Sequence, residues 1–83
     1  MTTPNYLNQL QPGQRAVIVR IGGNTALRRR FAEMGILKGV SIRAERVAPL
    51  GDPVAYLVKG YRLSMRREES AQIEVALEGD THE

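Results

Sequence analysis

The chain of 83 residues has no cysteine and no tryptophan, one phenylalanine (Phe31) and one histidine (His82). Without cysteine there is neither a disulfide nor a thiolate metal site. A small domain that folds without disulfides points to a reducing compartment. The few aromatics do not interleave with the basic residues, so a base-stacking platform is missing and no nucleic-acid partner is expected. No apolar run approaches the roughly 20 residues that span a bilayer. Residues 1–6 lack the charged and apolar regions of a signal peptide. A soluble, cytoplasmic chain without membrane insertion is the expectation.

Bases are also absent from one end. All 12 Lys and Arg lie in residues 1–67, which net +9 because Glu33, Glu45 and Asp52 are the only acids there. Residues 68–83 carry six acids and no base, netting −6. A basic body with an acidic tail steers towards an acidic partner, or the tail shields the body. Catalytic constellations are missing as well. Asp52 and Glu69 have no His, Lys or second carboxylate at the spacing of an acid–base pair, and Asp52 reads as a turn residue accepting a backbone hydrogen bond. Gly22-Gly23 precedes a helix but lacks the remaining glycines and the Lys-Ser/Thr of a phosphate loop. An enzyme is not expected, and neither is a cofactor. His82 with Asp80 and Glu83 lies in a frayed tail over residues 78–83, which supplies no preorganised ligand set, so no metal site is assigned.

What is present is a series of short strands. Residues 1–12 are polar, with Tyr6, Leu7 and Leu10 as docking points. A strand is expected over residues 14–21, with a bulge near Arg20. Asn24 or Thr25 caps a helix running to about Met34, where Leu27, Phe31 and Met34 form one apolar stripe at i, i+4 and i+7. Gly35 ends that helix. Three alternations follow: Val40, Ile42 and Ala44; Tyr61, Leu63 and Met65; Ile73, Val75 and Leu77. Residues 54–58 form a further, more apolar strand, joined to the next by a Lys59-Gly60 hairpin turn. Residues 67–71 read as a helical turn. Between two strands, residues 47–53 hold two prolines around Gly51-Asp52, a rigid corner with Leu50 at its tip. The total is five strands, one helix and one helical turn, a pattern that suggests a small β-barrel closed on itself to remove exposed edges.

The ordered series from Leu10 to Leu77 resembles the FeoA family of bacterial ferrous iron uptake. It comprises Leu10 and Gly13, Phe31-Ala32-Glu33-Met34-Gly35-Ile36, Gly39, the segment 47–53, Leu63-Ser64-Met65-Arg66 and Ile73-Glu74-Val75. The main departure is Lys38, where the family often has proline. The resemblance implies an SH3-like five-stranded β-barrel, also found as a domain of iron-dependent repressors. It implies a FeoB-type membrane iron transporter with a GTP-binding domain as partner, and iron as the cargo of that system. With no DNA-binding helices before the barrel, a stand-alone module of one domain over residues 1–83 is expected. The alternatives are a regulatory barrel that binds a transcription factor or metal, and an RNA-associated barrel driven by the basic body. Self-association through strand edges is a further option.

For partner contact the expected residues are Arg28, Arg29, Leu37, Lys38 and Leu50. Arg28-Arg29-Arg30 reads either as a contact for an acidic surface or as a solvated face in which Glu33 pairs with Arg29 or Arg30. Leu37 and Leu50 sit on connectors, where periodicity does not force burial.

Overall fold

The computed structural model describes residues 5–78. The expected tail beyond Glu78, with its Asp80/His82/Glu83 cluster, lies outside the described residues, as do residues 1–4. The elements in chain order are β1 (Asn5–Tyr6), a 3-10 turn (Leu7–Gln9), β2 (Arg15–Ile21), α1 (Thr25–Glu33), β3 (Ser41–Val47), β4 (Val54–Val58), β5 (Tyr61–Met65), α2 (Arg67–Ser70) and β6 (Ile73–Leu77). The strands form one antiparallel sheet in the order β1-β6-β2-β3-β4-β5.

Alternation sets the two faces. Ala16 and Ile18, Ile42 and Ala44, Val54, Tyr56 and Val58, Met65, and Ile73 and Val75 turn inwards and are buried. Phe31 of α1 and Ile36 after it complete the core with Leu7 and Leu10, so two of the expected N-terminal docking points are buried. The bulge falls where expected, between Ile18 and Arg20, and a second lies between Ala44 and Arg46.

Two features differ from the sequence expectation. Six strands are present rather than five, because Asn5 and Tyr6 pair with Val75 and Glu74. The ladder also stays open, with β1 and β5 as its edges. Among the described residues β1 spans Asn5–Tyr6 and runs directly into the 3-10 turn, and no ladder bond joins it to β5. The fold is barrel-like all the same, and side chains bridge the seam. Arg67, at the start of α2, donates from Nη1 to the Asn8 carbonyl at 3.0 Å. Tyr56 of β4 donates from Oη to the Leu7 carbonyl at 3.4 Å. Arg67 Nε also reaches the Gly51 carbonyl at 2.6 Å, and its backbone N–H meets Asp52 Oδ1 at 2.8 Å. One residue thus ties α2 to both the N-terminal turn and the 47–53 corner. Asp52 does accept a backbone hydrogen bond, but from a residue 15 positions on, so it caps α2 rather than its own turn.

Burial pushes the Tyr56 hydroxyl above its usual range, with Ser70 and the Arg67 charge partly opposing the shift. The unfolded chain releases that proton near pH 10 while the folded chain keeps it. Folded protein then binds more protons than unfolded, so this contribution to stability is intact below about pH 10 and lost as pH rises above it.

Three outcomes follow from this geometry. In urea unfolding, Arg67→Ala lowers stability by about 2–4 kcal/mol, since two charge-assisted bonds vanish and two carbonyls lose their donor; a loss under 0.5 kcal/mol would show the seam closes without it. Gly51 has φ +92°, and an added Cβ would meet nothing within 4 Å. Gly51→Val is therefore expected to destabilise by about 1–3 kcal/mol through backbone strain alone, and an unchanged melting curve contradicts that. Tyr56→Phe should flatten the loss of stability above about pH 10; parallel pH profiles for the two proteins would rule out Tyr56 as the titrating group.

Candidate functional site

Helix α1 is built to present one face. Asn24 caps it, its Oδ1 accepting from the Leu27 N–H at 2.8 Å. Phe31 is fully buried, and Leu27 and Met34 pack against the core, so the apolar stripe is structural. That leaves Arg28, Arg29 and Arg30 exposed. The helix ends in a Schellman motif: Ile36 N–H bonds the Phe31 carbonyl at 2.9 Å and Gly35 N–H the Ala32 carbonyl at 3.0 Å. Gly35 has φ +83°, and a Cβ there would also come within 2.9 Å of Tyr61 Oη. That hydroxyl donates to the Met34 carbonyl, fastening the helix end to β5.

Leu37 and Lys38 follow at the crest of a turn. Val40 N–H bonds the Leu37 carbonyl at 3.1 Å, and Gly39 N–H bonds Ile18 of β2 at 2.7 Å. The turn forms with Lys38 in place of proline. Ile36 is buried, Leu37 is 43% exposed and Lys38 is exposed. Leu50 is 97% exposed. Its turn is closed by Gly51 N–H to the Ala48 carbonyl at 2.8 Å and by Ala48 N–H to the Pro53 carbonyl at 3.0 Å. With Arg67 holding Gly51 and Asp52, Leu50 is an apolar side chain offered to solvent on a fixed stem.

The charge pattern is redistributed by folding. Three acids from the C-terminal stretch turn back onto the basic body: Glu69 to Arg30 at 2.5 Å, Glu74 to Arg20 at 3.6 Å and Glu78 to Arg15 at 3.9 Å. Arg30, still exposed, is thereby paired to α2. Glu33 takes part in no ion pair among the described residues, so the expected pairing with Arg29 or Arg30 does not form. Arg28, Arg29 and Lys38 likewise have no carboxylate partner among the described residues. These three cations are exposed on α1 and its exit turn.

The five expected contact residues are all at the surface, in two patches. Arg28, Arg29, Leu37 and Lys38 follow α1 and its exit turn. Leu50 stands apart. No hydrogen bond among the described residues joins it to the first patch; Glu69 of α2 pairs with Arg30 of α1, and Arg67 of α2 holds the 47–53 corner. Sequence reading missed Arg67 and Tyr61. Arg67 gave no signal, sitting beside other charges on a short helical turn. Tyr61, 46% exposed, was readable as an aromatic at the end of an apolar strand face.

Among the described residues no group of three or more His, Cys, Asp or Glu side chains gathers at metal-binding distance. No helix of those residues is long and apolar enough to cross a membrane.

Comparison with known proteins agrees with this architecture. The FeoA domain model matches residues 6–77. A curated relative, the Fe(2+) transport protein A/Fe(2+) transporter FeoB fusion protein of Porphyromonas gingivalis, is 46% identical over 71 residues, or 86% of this chain. The chain spans only 8% of that fusion protein's length. The FeoA-like protein of Clostridium acetobutylicum superimposes with a TM-score of 0.86 at 34% identity, covering 100% of this chain and 96% of its own. The zinc complex of Stenotrophomonas maltophilia FeoA, an SH3 domain protein, gives 0.75 at 28% identity, covering 86% and 88%. IdeR of T. acidophilum shares the fold, with a TM-score of 0.81 at 24% identity over 94% of this chain and 36% of its own. With its SH3-like sheet, its capped helix and a family match over nearly all the described residues, the chain belongs to the FeoA family.

Proposed function

We infer that this chain is a non-enzymatic accessory module of ferrous iron uptake, acting in the cytoplasm on a FeoB-type transporter with a GTP-binding domain. One observation carries the reading: in the Porphyromonas gingivalis relative, the segment matching this chain is part of one polypeptide with FeoB. A covalent link raises the effective concentration of two modules for one another. That one polypeptide carries both modules supports a reading in which they act together.

The surface fits a protein partner better than a small molecule. Arg28, Arg29 and Lys38 supply unpaired positive charge to steer an acidic face. Leu37 and Leu50 supply apolar contact. Leu50 on its braced turn carries little ordering cost into a complex, because its backbone is already fixed. The module influences transport or GTP hydrolysis only by binding two transporter states unequally; any chemistry resides in the partner. The likeness to IdeR concerns the fold and does not add a transcriptional role.

Deleting the gene is expected to lower ferrous uptake, and normal uptake in the deletion strain would overturn the reading. In a binding titration against the cytoplasmic part of the transporter, Leu50→Asp and the double variant Arg28→Glu/Arg29→Glu should each weaken affinity about tenfold or more. Their melting curves should match the parent. Unchanged affinity in both variants would remove this surface from the interface.

A further inference from the structure

The outer face of the sheet carries a cationic cluster that the transporter reading leaves unused. Alternation buries Ala16, Ile42 and Ala44, so Arg15 of β2 and Arg43 of β3 point away from the core. The register sets these two arginines directly opposite one another. Like charges at such positions are destabilising. The surrounding side chains offset this only in part. Arg15 Nε lies 3.9 Å from Glu78, and Arg43 Nε lies 3.9 Å from Glu45, both beyond hydrogen-bond length. Arg43 Nε is buried without a hydrogen-bond partner. A third cation joins them from the β4–β5 turn, where Lys59 has φ +50°. Asparagine or glycine suits that conformation better, so the turn itself does not call for lysine. Lys59 makes no ion pair among the described residues.

Arg15, Arg43 and Lys59 line one cleft of about 160 Å³, together with Ser41 and the half-buried Leu57 that faces Arg43 on β4. No carboxylate of the described residues lines it. Glu78 stands nearby and accepts from Ser41 Oγ at 3.3 Å. β6 passes Ile21, then Ala16, and Glu78 N–H bonds the Arg15 carbonyl, so this strand runs towards the Gln14 end of β2. Ser41, opposite Val17, and Lys59, next to Val58, lie the other way along the sheet.

We propose that this cleft binds a phosphate group, set between Arg15 and Arg43 and closed by Lys59. A monoester phosphate carries about −1.5 to −2 charge at pH 7 and three strong acceptor oxygens. That charge turns a repulsive cross-strand pair into two attractions. Guanidinium forks match phosphate oxygens bidentately, and the lysine adds a point charge. Leu57 keeps water from one side of the group, which strengthens the pairing. A monoanion such as chloride leaves the cluster undercompensated.

The inference does not rest on the transporter reading, and its test needs only this chain. The isotopically labelled chain is titrated with inorganic phosphate at constant ionic strength, with chloride as the control. Expected are saturable shifts at the Arg15, Ser41, Arg43 and Lys59 amides, with a dissociation constant on the order of 1 mM. Arg15→Gln should weaken binding about tenfold while its melting temperature without phosphate stays level or rises, because the like-charge pair is gone. Lys59→Gly should also weaken binding, although it suits the turn better. Loss of folding therefore cannot explain either result. Flotation with phosphatidylcholine vesicles, with and without phosphatidic acid, separates the sources. Recruitment by phosphatidic acid that Arg15→Gln abolishes assigns the group to a lipid headgroup; saturable binding of free phosphate alone assigns it to a soluble phosphate. The proposal is overturned by no response to either probe, by shifts that chloride reproduces, or by binding that both variants leave unchanged.

Discussion

The structure depends on one side chain. Arg67 occupies the seam where no ladder bond joins β1 to β5, and it satisfies carbonyls from two segments that the ladder never joins. A guanidinium suits this place because it offers several fixed donors at once, while its charge strengthens each bond. Its backbone contributes too, since the N–H of the same residue meets Asp52. The N-terminal turn, the 47–53 corner and α2 therefore meet at this residue, and Arg66 adds a second contact to Asp52 at 3.5 Å. Tyr56 lies beneath it, with its hydroxyl on the Leu7 carbonyl and the Arg67 charge near enough to act on its proton. A small sheet that cannot complete its barrel with backbone bonds completes it with side chains.

That fastening also shapes the surface. Leu50 is almost fully exposed, and such a residue on a loose loop would be an aggregation liability. Here its turn is closed internally and anchored at its base, so the side chain is displayed. Glu69, also on α2, pairs with Arg30 of α1. Three of the six C-terminal acids that look like a shield in the linear sequence pair with bases of the fold. Glu69, Glu74 and Glu78 neutralise Arg30, Arg20 and Arg15. Without a carboxylate partner among the described residues are Arg28 and Arg29 of α1 and Lys38 of its exit turn, where Leu37 is also exposed. Exposed ion pairs of this sort are individually worth only about 0–1 kcal/mol. Their consequence lies in which charges they leave free.

Much of the fold was legible because its signals are local. Alternation placed the inward residues of β3 and β6 and Met65 of β5, the i, i+4, i+7 stripe placed Phe31, and Gly35 marked the helix end. Lys59-Gly60 marked a hairpin although a lysine stands at one positive φ. The family pattern supplied the architecture that these fragments share. Three things were not legible. Asn5–Tyr6 forms a strand only because β6 lies beside it, and two residues carry no periodicity. The open seam is an arrangement that no motif encodes. The bonds of Arg67 span as many as 59 positions, and a cation next to two glutamates looks like any solvated helical turn. The candidate contact residues were chosen from charge and from apolar positions on connectors; the structure places all five at the surface and shows Leu50 braced from below.

The proposed reading rests on two surface patches that both meet the transporter: α1 with its exit turn, and the Leu50 turn that Arg67 holds in place. The most direct measurement is an NMR titration of the isotopically labelled chain with the cytoplasmic portion of the FeoB-type transporter. The account predicts perturbed amides at Arg28, Arg29, Leu37, Lys38 and Leu50, and at Arg67, which holds the Leu50 turn. Perturbation confined to the outer face of β2 and β3, with those positions silent, would contradict it.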